Sequence, residues 1–67
     1  MNVAGVVVDF DVRRGDGWLD DGAQRWYFHC VDIADGSRRI DNGTEAVGER
    51  VVGHLGRDEV RDVRGRD

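Results

Sequence analysis

The side chains of this chain best equipped for chemistry are flat or cationic rather than nucleophilic. Phe10, Trp18, Tyr27 and His29 fall in one short stretch, and Arg13-Arg14 leads into a glycine turn, Gly15-Asp16-Gly17. Rings that stack on bases, together with guanidinium groups for phosphates, are what a single-stranded nucleic acid requires of a surface. Asp9 and Asp16 stand in the same stretch and oppose that reading. A carboxylate offers no face to stack on and repels phosphate.

Other chemistries are weaker on the same residues. His29 and Cys30 are adjacent, and neighbours on a strand point to opposite faces, so they do not form a nucleophilic dyad. A zinc site needs several convergent ligands, and only the remote His54 is left to help. Gly15-Asp16-Gly17 lacks the third glycine and the strand-to-helix setting of a dinucleotide loop. Arg14-Gly15-Asp16 spells a cell-adhesion tripeptide, which reads as coincidence, and Asp20-Asp21 reads as a solvated turn. The expectation is a binding protein with no enzymatic activity, no cofactor and no metal.

Sixty-seven residues are read as one domain, 1–67, with a modest core. At roughly 0.05–0.15 kcal/mol per residue, its whole stability is about 3–10 kcal/mol. Hydrophobic residues make up 39% of the chain, but the longest Val run, Val6-Val7-Val8, is far short of the roughly 20 residues that cross a bilayer as a helix. A soluble protein without a membrane partner is expected. One cysteine and the lack of a signal-like start fit a reducing cytoplasm. Ten arginines and no lysine, with Asp outnumbering Glu, read as compositional bias. The net charge of −4 argues against binding by bulk electrostatics, which leaves Arg13-Arg14 and Arg38-Arg39 as local clusters.

The elements that must position these residues are short strands. Ten glycines and no proline interrupt the apolar clusters, and no window keeps a helical period over three turns. Strands are expected over 4–12, 17–20, 25–30, 45–52 and 58–63, with turns at Asp21-Gly22, Asp35-Gly36 and Asn42-Gly43. Five antiparallel strands in so short a chain predict an all-β barrel, which leaves no exposed edges. Alternation puts Trp26 and Phe28 inside and Arg25, Tyr27 and His29 outside; Leu19 goes in and Trp18 out. Val7, Leu19, Trp26, Phe28 and Ile33 are the predicted core. The fourth strand has no clean apolar row, which predicts a bulge or frayed end, with Trp26 over Gly48. The polar end, 63–67, is expected to be a mobile tail.

On these blocks the chain resembles the cold-shock domain family. Gly5-Val6-Val7-Val8-Asp9-Phe10-Asp11 followed by Arg14-Gly15-Asp16-Gly17-Trp18-Leu19 approximates the first signature, and Trp26-Tyr27-Phe28-His29 leading into Ile33 the second. Ala34-Asp35-Gly36-Ser37-Arg38-Arg39-Ile40 and Gly53-His54-Leu55-Gly56-Arg57 are similar to the loop and late hairpin of the short actinobacterial-type members. The resemblance implies a five-stranded antiparallel Greek-key barrel of OB-fold type that binds single-stranded DNA or RNA and acts as an RNA chaperone or a regulator of transcription or translation. By the same resemblance Phe10, Trp18, Tyr27 and His29 stack bases, while Arg14, Arg13 and Arg57 meet phosphates. Asp9, Asp16 and Cys30 replace residues that are usually aromatic in the family. That departure motivates a second expectation, a barrel whose former binding face serves a protein partner. Trp18 and Tyr27, both read as outward, are expected to be removable at little cost in stability.

Overall fold

A computed structural model describes residues 1–53 and 56–66. The strands are β1 (Asn2–Asp11), β2 (Asp16–Asp20), β3 (Arg25–His29), β4 (Glu45–Val52) and β5 (Asp58–Gly65), with a 3-10 turn, Cys30–Asp32, after β3. They close into a barrel in the order β1-β2-β3-β5-β4. The all-β barrel expected from the glycine spacing and alternation is therefore present. No helix of the described residues is long and apolar enough to cross a membrane.

β1 pairs antiparallel with β2 on one side and β4 on the other. Its register with β2 runs Val7↔Leu19 and Val8↔Trp18, then jumps to Asp11↔Asp16. The step is one residue longer on β1, a bulge, and Asp9 sits there with φ 53°. Aspartate is one of the few non-glycine residues that accept the left-handed region readily. The extra residue inverts the alternation. Val7 is fully buried, Asp9 faces out, and Phe10 turns back toward the interior, where its ring stacks on Phe28 at 5.9 Å and 11°. Gly17 makes room for it, since a Cβ there would lie 2.8 Å from the Phe10 Cα. Asn42 completes the ladder past the bulge: its Oδ1 accepts from the Phe10 N–H at 2.7 Å and its Nδ2 donates to the Phe10 carbonyl at 3.1 Å.

The bulge expected in the fourth strand falls instead on its partner: β4 is unbroken and pairs evenly with β1, and the β4–β5 register shifts between Val47 and Glu49. The additional residue lies on β5, at Asp62, φ 52°. The space over Gly48 is filled by Val60, whose Cβ would stand 3.1 Å from an added Cβ, and not by Trp26 as the sequence suggested. Trp26 is instead held by its indole N–H, which donates to Asp21 at 2.8 Å, with Arg50 over the ring.

β3 and β5 meet in parallel, through the pair Tyr27↔Glu59; the other pairings are antiparallel. A parallel bridge, Ile33↔Val63, and a bond from the Ala34 N–H to the Val63 carbonyl at 2.8 Å extend the seam. β5 runs on to Gly65, and the Arg66 N–H donates to the Glu45 carbonyl at 2.8 Å. The segment expected to be a free tail from residue 63 is thus paired through Arg66, because its backbone groups complete the β4 ladder. His54, Leu55 and Asp67 lie outside the described residues.

The core contains all five predicted residues, Val7, Leu19, Trp26, Phe28 and Ile33, with Val3, Ala46, Val60 and Val63. Phe28→Ala should cost about 3–5 kcal/mol, comparable to the fold's whole stability. Gly5→Ala tests the close approach of β1 to β2, where a Cβ would overlap the Asp20 carbonyl oxygen. Both variants should lose cooperative unfolding in urea at 25 °C. A parent-like midpoint for either would contradict this packing.

Candidate functional site

The outer faces of β2 and β3 carry a row of rings. Trp18 and Tyr27 are cross-strand partners, edge to face with centroids 5.2 Å apart. Two residues on, His29 shares the face of Tyr27 and meets it edge-on at 4.8 Å. The directions follow from the alternation that buries Leu19, Trp26 and Phe28 behind them. Their exposure does not. His29 is exposed and Trp18 half-buried, but Tyr27 is only 7% exposed.

The expected open platform at Tyr27 is therefore corrected. Its ring is on the outer face but covered, with Trp18 and His29 at its sides and the Arg57 guanidinium 4.0 Å above its centre. The parallel β3–β5 pairing brings Arg57 there, and no local pattern in the sequence reports that pairing. Phe10 stands apart from the row, turned by the bulge onto Phe28. Of the row, Trp18 and His29 are open to a ligand; Phe10, half-buried like Trp18, lies outside the row.

The acids are also placed differently from a simple repulsive rim. Asp16 is not within the turn but opens β2, opposite His29. Its carboxylate accepts from Arg14 Nε and from the Tyr27 hydroxyl. Arg14 Nη2 further donates to the Asp9 carbonyl and to the Asp16 carbonyl, lies 3.8 Å from Asp9 Oδ2, and the guanidinium sits 5.4 Å from the Trp18 ring centre. Arg57 Nε stands 3.2 Å from Glu59 Oε2, and Glu59 is buried. Arg13 makes no ion pair among the described residues, and its N–H donates to Asp11 at 2.8 Å. Two of the three arginines expected to meet phosphates are thus already engaged by carboxylates of the same face.

Titration follows from these contacts. Burial pushes the Asp16 carboxyl up, but donation from Arg14 and Tyr27, helped by the charges of Arg14 and His29, leaves it below the usual aspartate range. The bond to Asp16 holds the Arg14 proton more tightly than usual. Tyr27 is pushed up to about 12, first by burial and then by its bond to Asp16.

Cys30 lies outside β3, at the start of the 3-10 turn, where its N–H donates to the Gly15 carbonyl at 2.8 Å. This ties the turn carrying Arg13 and Arg14 to the end of β3. Among the described residues no group of three or more His, Cys, Asp and Glu side chains is placed to hold a metal ion. His54 lies outside them. The contacts missed by sequence reasoning are Asp16 with Tyr27, Arg57 over Tyr27, and Glu59 with Arg57. The first was legible in principle, since Asp16 and Tyr27 sit on neighbouring strands of one hairpin.

Fold and site together define a closed five-stranded all-β barrel with an aromatic row and interleaved ion pairs on one outer face. Comparison of this chain with family models, with curated proteins and with solved structures finds no match.

The network fixes a pH profile. A raised tyrosine pKa means the folded state favours the neutral phenol, so its stabilisation is complete below about pH 10 and is lost as pH rises toward 12. The lowered Asp16 pKa acts at the other end: its stabilisation is present above the usual carboxylate range and is lost as pH falls through the folded value. The chain has one tyrosine, so alkaline difference absorption reads Tyr27 alone. The folded protein should titrate well above the urea-unfolded chain, and Asp16→Asn should narrow the gap. Equal midpoints in the folded and unfolded chains would show that the hydroxyl is not held.

Proposed function

We propose that this protein binds single-stranded nucleic acid as a barrel of cold-shock type, serving as an RNA chaperone or a regulator of transcription or translation. The observation that carries the reading is the continuous row Trp18–Tyr27–His29 on one barrel face, flanked by Arg14 and Arg57. Bases stack on Trp18 and His29, with Tyr27 as the rigid support between them. Arg13 meets phosphate directly. Arg14 and Arg57 do so by exchanging or sharing their carboxylate partners. That exchange makes binding weaker and less salt-dependent than a lysine-rich face would give, because fewer counterions are released.

A second reading has one observation in its favour: Arg14 and Arg57 are paired with Asp16 and Glu59, leaving a nearly neutral, ring-bearing patch suited to a protein partner. The two readings separate on one titration. Short pyrimidine-rich and mixed single strands, added at low salt, should quench the emission of Trp18, while the buried Trp26 continues to report the fold. Trp18→Ala should weaken binding by about 1–3 kcal/mol with an almost unchanged urea midpoint. Should no strand quench the parent or bind it by anisotropy at low salt, the nucleic-acid reading falls and the protein-partner reading leads.

A further inference from the structure

Resting on the reading that single strands lie on the Trp18 face, we infer that Asp9 makes this face select guanine. The two acids of the face are not equivalent. Asp16 has both carboxylate oxygens taken, one by Arg14 and one by Tyr27. Asp9 is different: its side chain is 60% exposed, and Arg14 Nη2 lies 3.8 Å from its Oδ2, beyond hydrogen-bond distance. The bond Arg14 does make to Asp9 goes to the backbone carbonyl. The Asp9 carboxylate is thus an acceptor-only group, ion-paired at 3.8 Å with Arg14 but accepting no hydrogen bond among the described residues.

Its position is fixed by backbone rather than by side-chain packing. As the extra residue of the β1 bulge, with φ 53°, it lies outside the β1–β2 ladder, next to the Val8↔Trp18 pair. One guanidinium, that of Arg14, touches the Asp9 backbone and lies against the Trp18 ring. A base stacked on Trp18 would lie beside both this guanidinium and the Asp9 carboxylate, and the carboxylate is the acceptor of the two. The same guanidinium offsets the charge that would otherwise repel the strand's phosphates.

Base chemistry decides the rest. Guanine offers two adjacent donors on its Watson–Crick edge, N1–H and the N2 amino group, which match the two oxygens of a carboxylate. Uracil and thymine offer one N–H between two carbonyls that the carboxylate repels. Adenine and cytosine offer an amino group beside a ring-nitrogen acceptor. Edge reading of an unstacked base is the usual source of sequence preference in single-strand recognition, and here the complementary edge is that of guanine.

The test uses the whole protein and labelled hexauridylate strands in which one central residue is guanosine, inosine, adenosine or cytidine. The guanosine strand should bind about fivefold or more tighter than hexauridylate, with inosine, which lacks the amino group, in between. Asp9→Asn, which also accepts the left-handed region, should remove the guanosine preference, bringing the guanosine and uridine strands to equal affinity. Asp9→Gly serves if the Asn variant fails to fold. Equal binding of all strands, a pyrimidine preference, or a guanosine preference that survives at position 9 would overturn the inference while leaving the single-strand reading intact. Failure of every strand to bind overturns both.

Discussion

The outer face depends on one extra residue in β1. Along β1 the inward positions are Val3, Gly5 and Val7, so strict alternation would carry Asp9 into the barrel and Phe10 out of it. A carboxylate there would have no partner in an apolar core, a cost that a small fold cannot absorb. The bulge at Asp9 resolves the conflict by shifting the phase after Val8. Phe10 then reaches Phe28, Gly17 provides the room, and Asn42 supplies the hydrogen bonds that the displaced backbone would lose. Asp9 and Asp16 end up on the side of the sheet that Arg14 can reach. The inward turn of Phe10 and the contact of Asp9 with Arg14 are consequences of that single phase shift.

Electrostatics on this face is local rather than global. The chain's net charge of −4 would suggest repulsion, yet two acids of the ring face, Asp16 and Glu59, are already matched by Arg14 and Arg57. Exposed ion pairs are individually weak, and the Arg14 side chain is 41% exposed. A phosphate can compete for such a guanidinium. The bond between Tyr27 and Asp16 is of another kind, since it joins a buried ring to a largely covered carboxylate. The face thus combines a fixed centre, Tyr27 with Asp16, with exchangeable cations around it.

How far the sequence reached into the structure follows from which interactions were local. Glycine spacing and apolar alternation located all five strands to within two residues at each end, because hairpin turns and two-residue periodicity are properties of contiguous segments. The predicted core residues are in the core for the same reason. Where the reading missed, long-range pairing decided. Tyr27 is covered because β5 runs parallel beside β3, Phe10 turns inward because of the bulge, and Gly48 is filled by Val60 because of the β4–β5 register. Residues past Val63 looked like a tail because they are polar, but β4 needed their backbone groups rather than their side chains.

The parallel seam carries a final constraint on the site. β3 and β5 pair through Tyr27↔Glu59, and the side chains beside that seam shape the outer face: Tyr27, Arg57 over its ring and Glu59 paired with Arg57. Barrel closure and site shape therefore use the same atoms. In a fold worth about 3–10 kcal/mol, a change at Tyr27 or Glu59 acts on closure before it acts on any ligand. Trp18 and His29 lie at the margins of this clasp, with one side packed on Tyr27 and the other open. They are free to move while the barrel stays shut, so the side chains that can adjust without disturbing closure lie at the rim of the face, at Trp18, His29 and Asp9, and not at its centre.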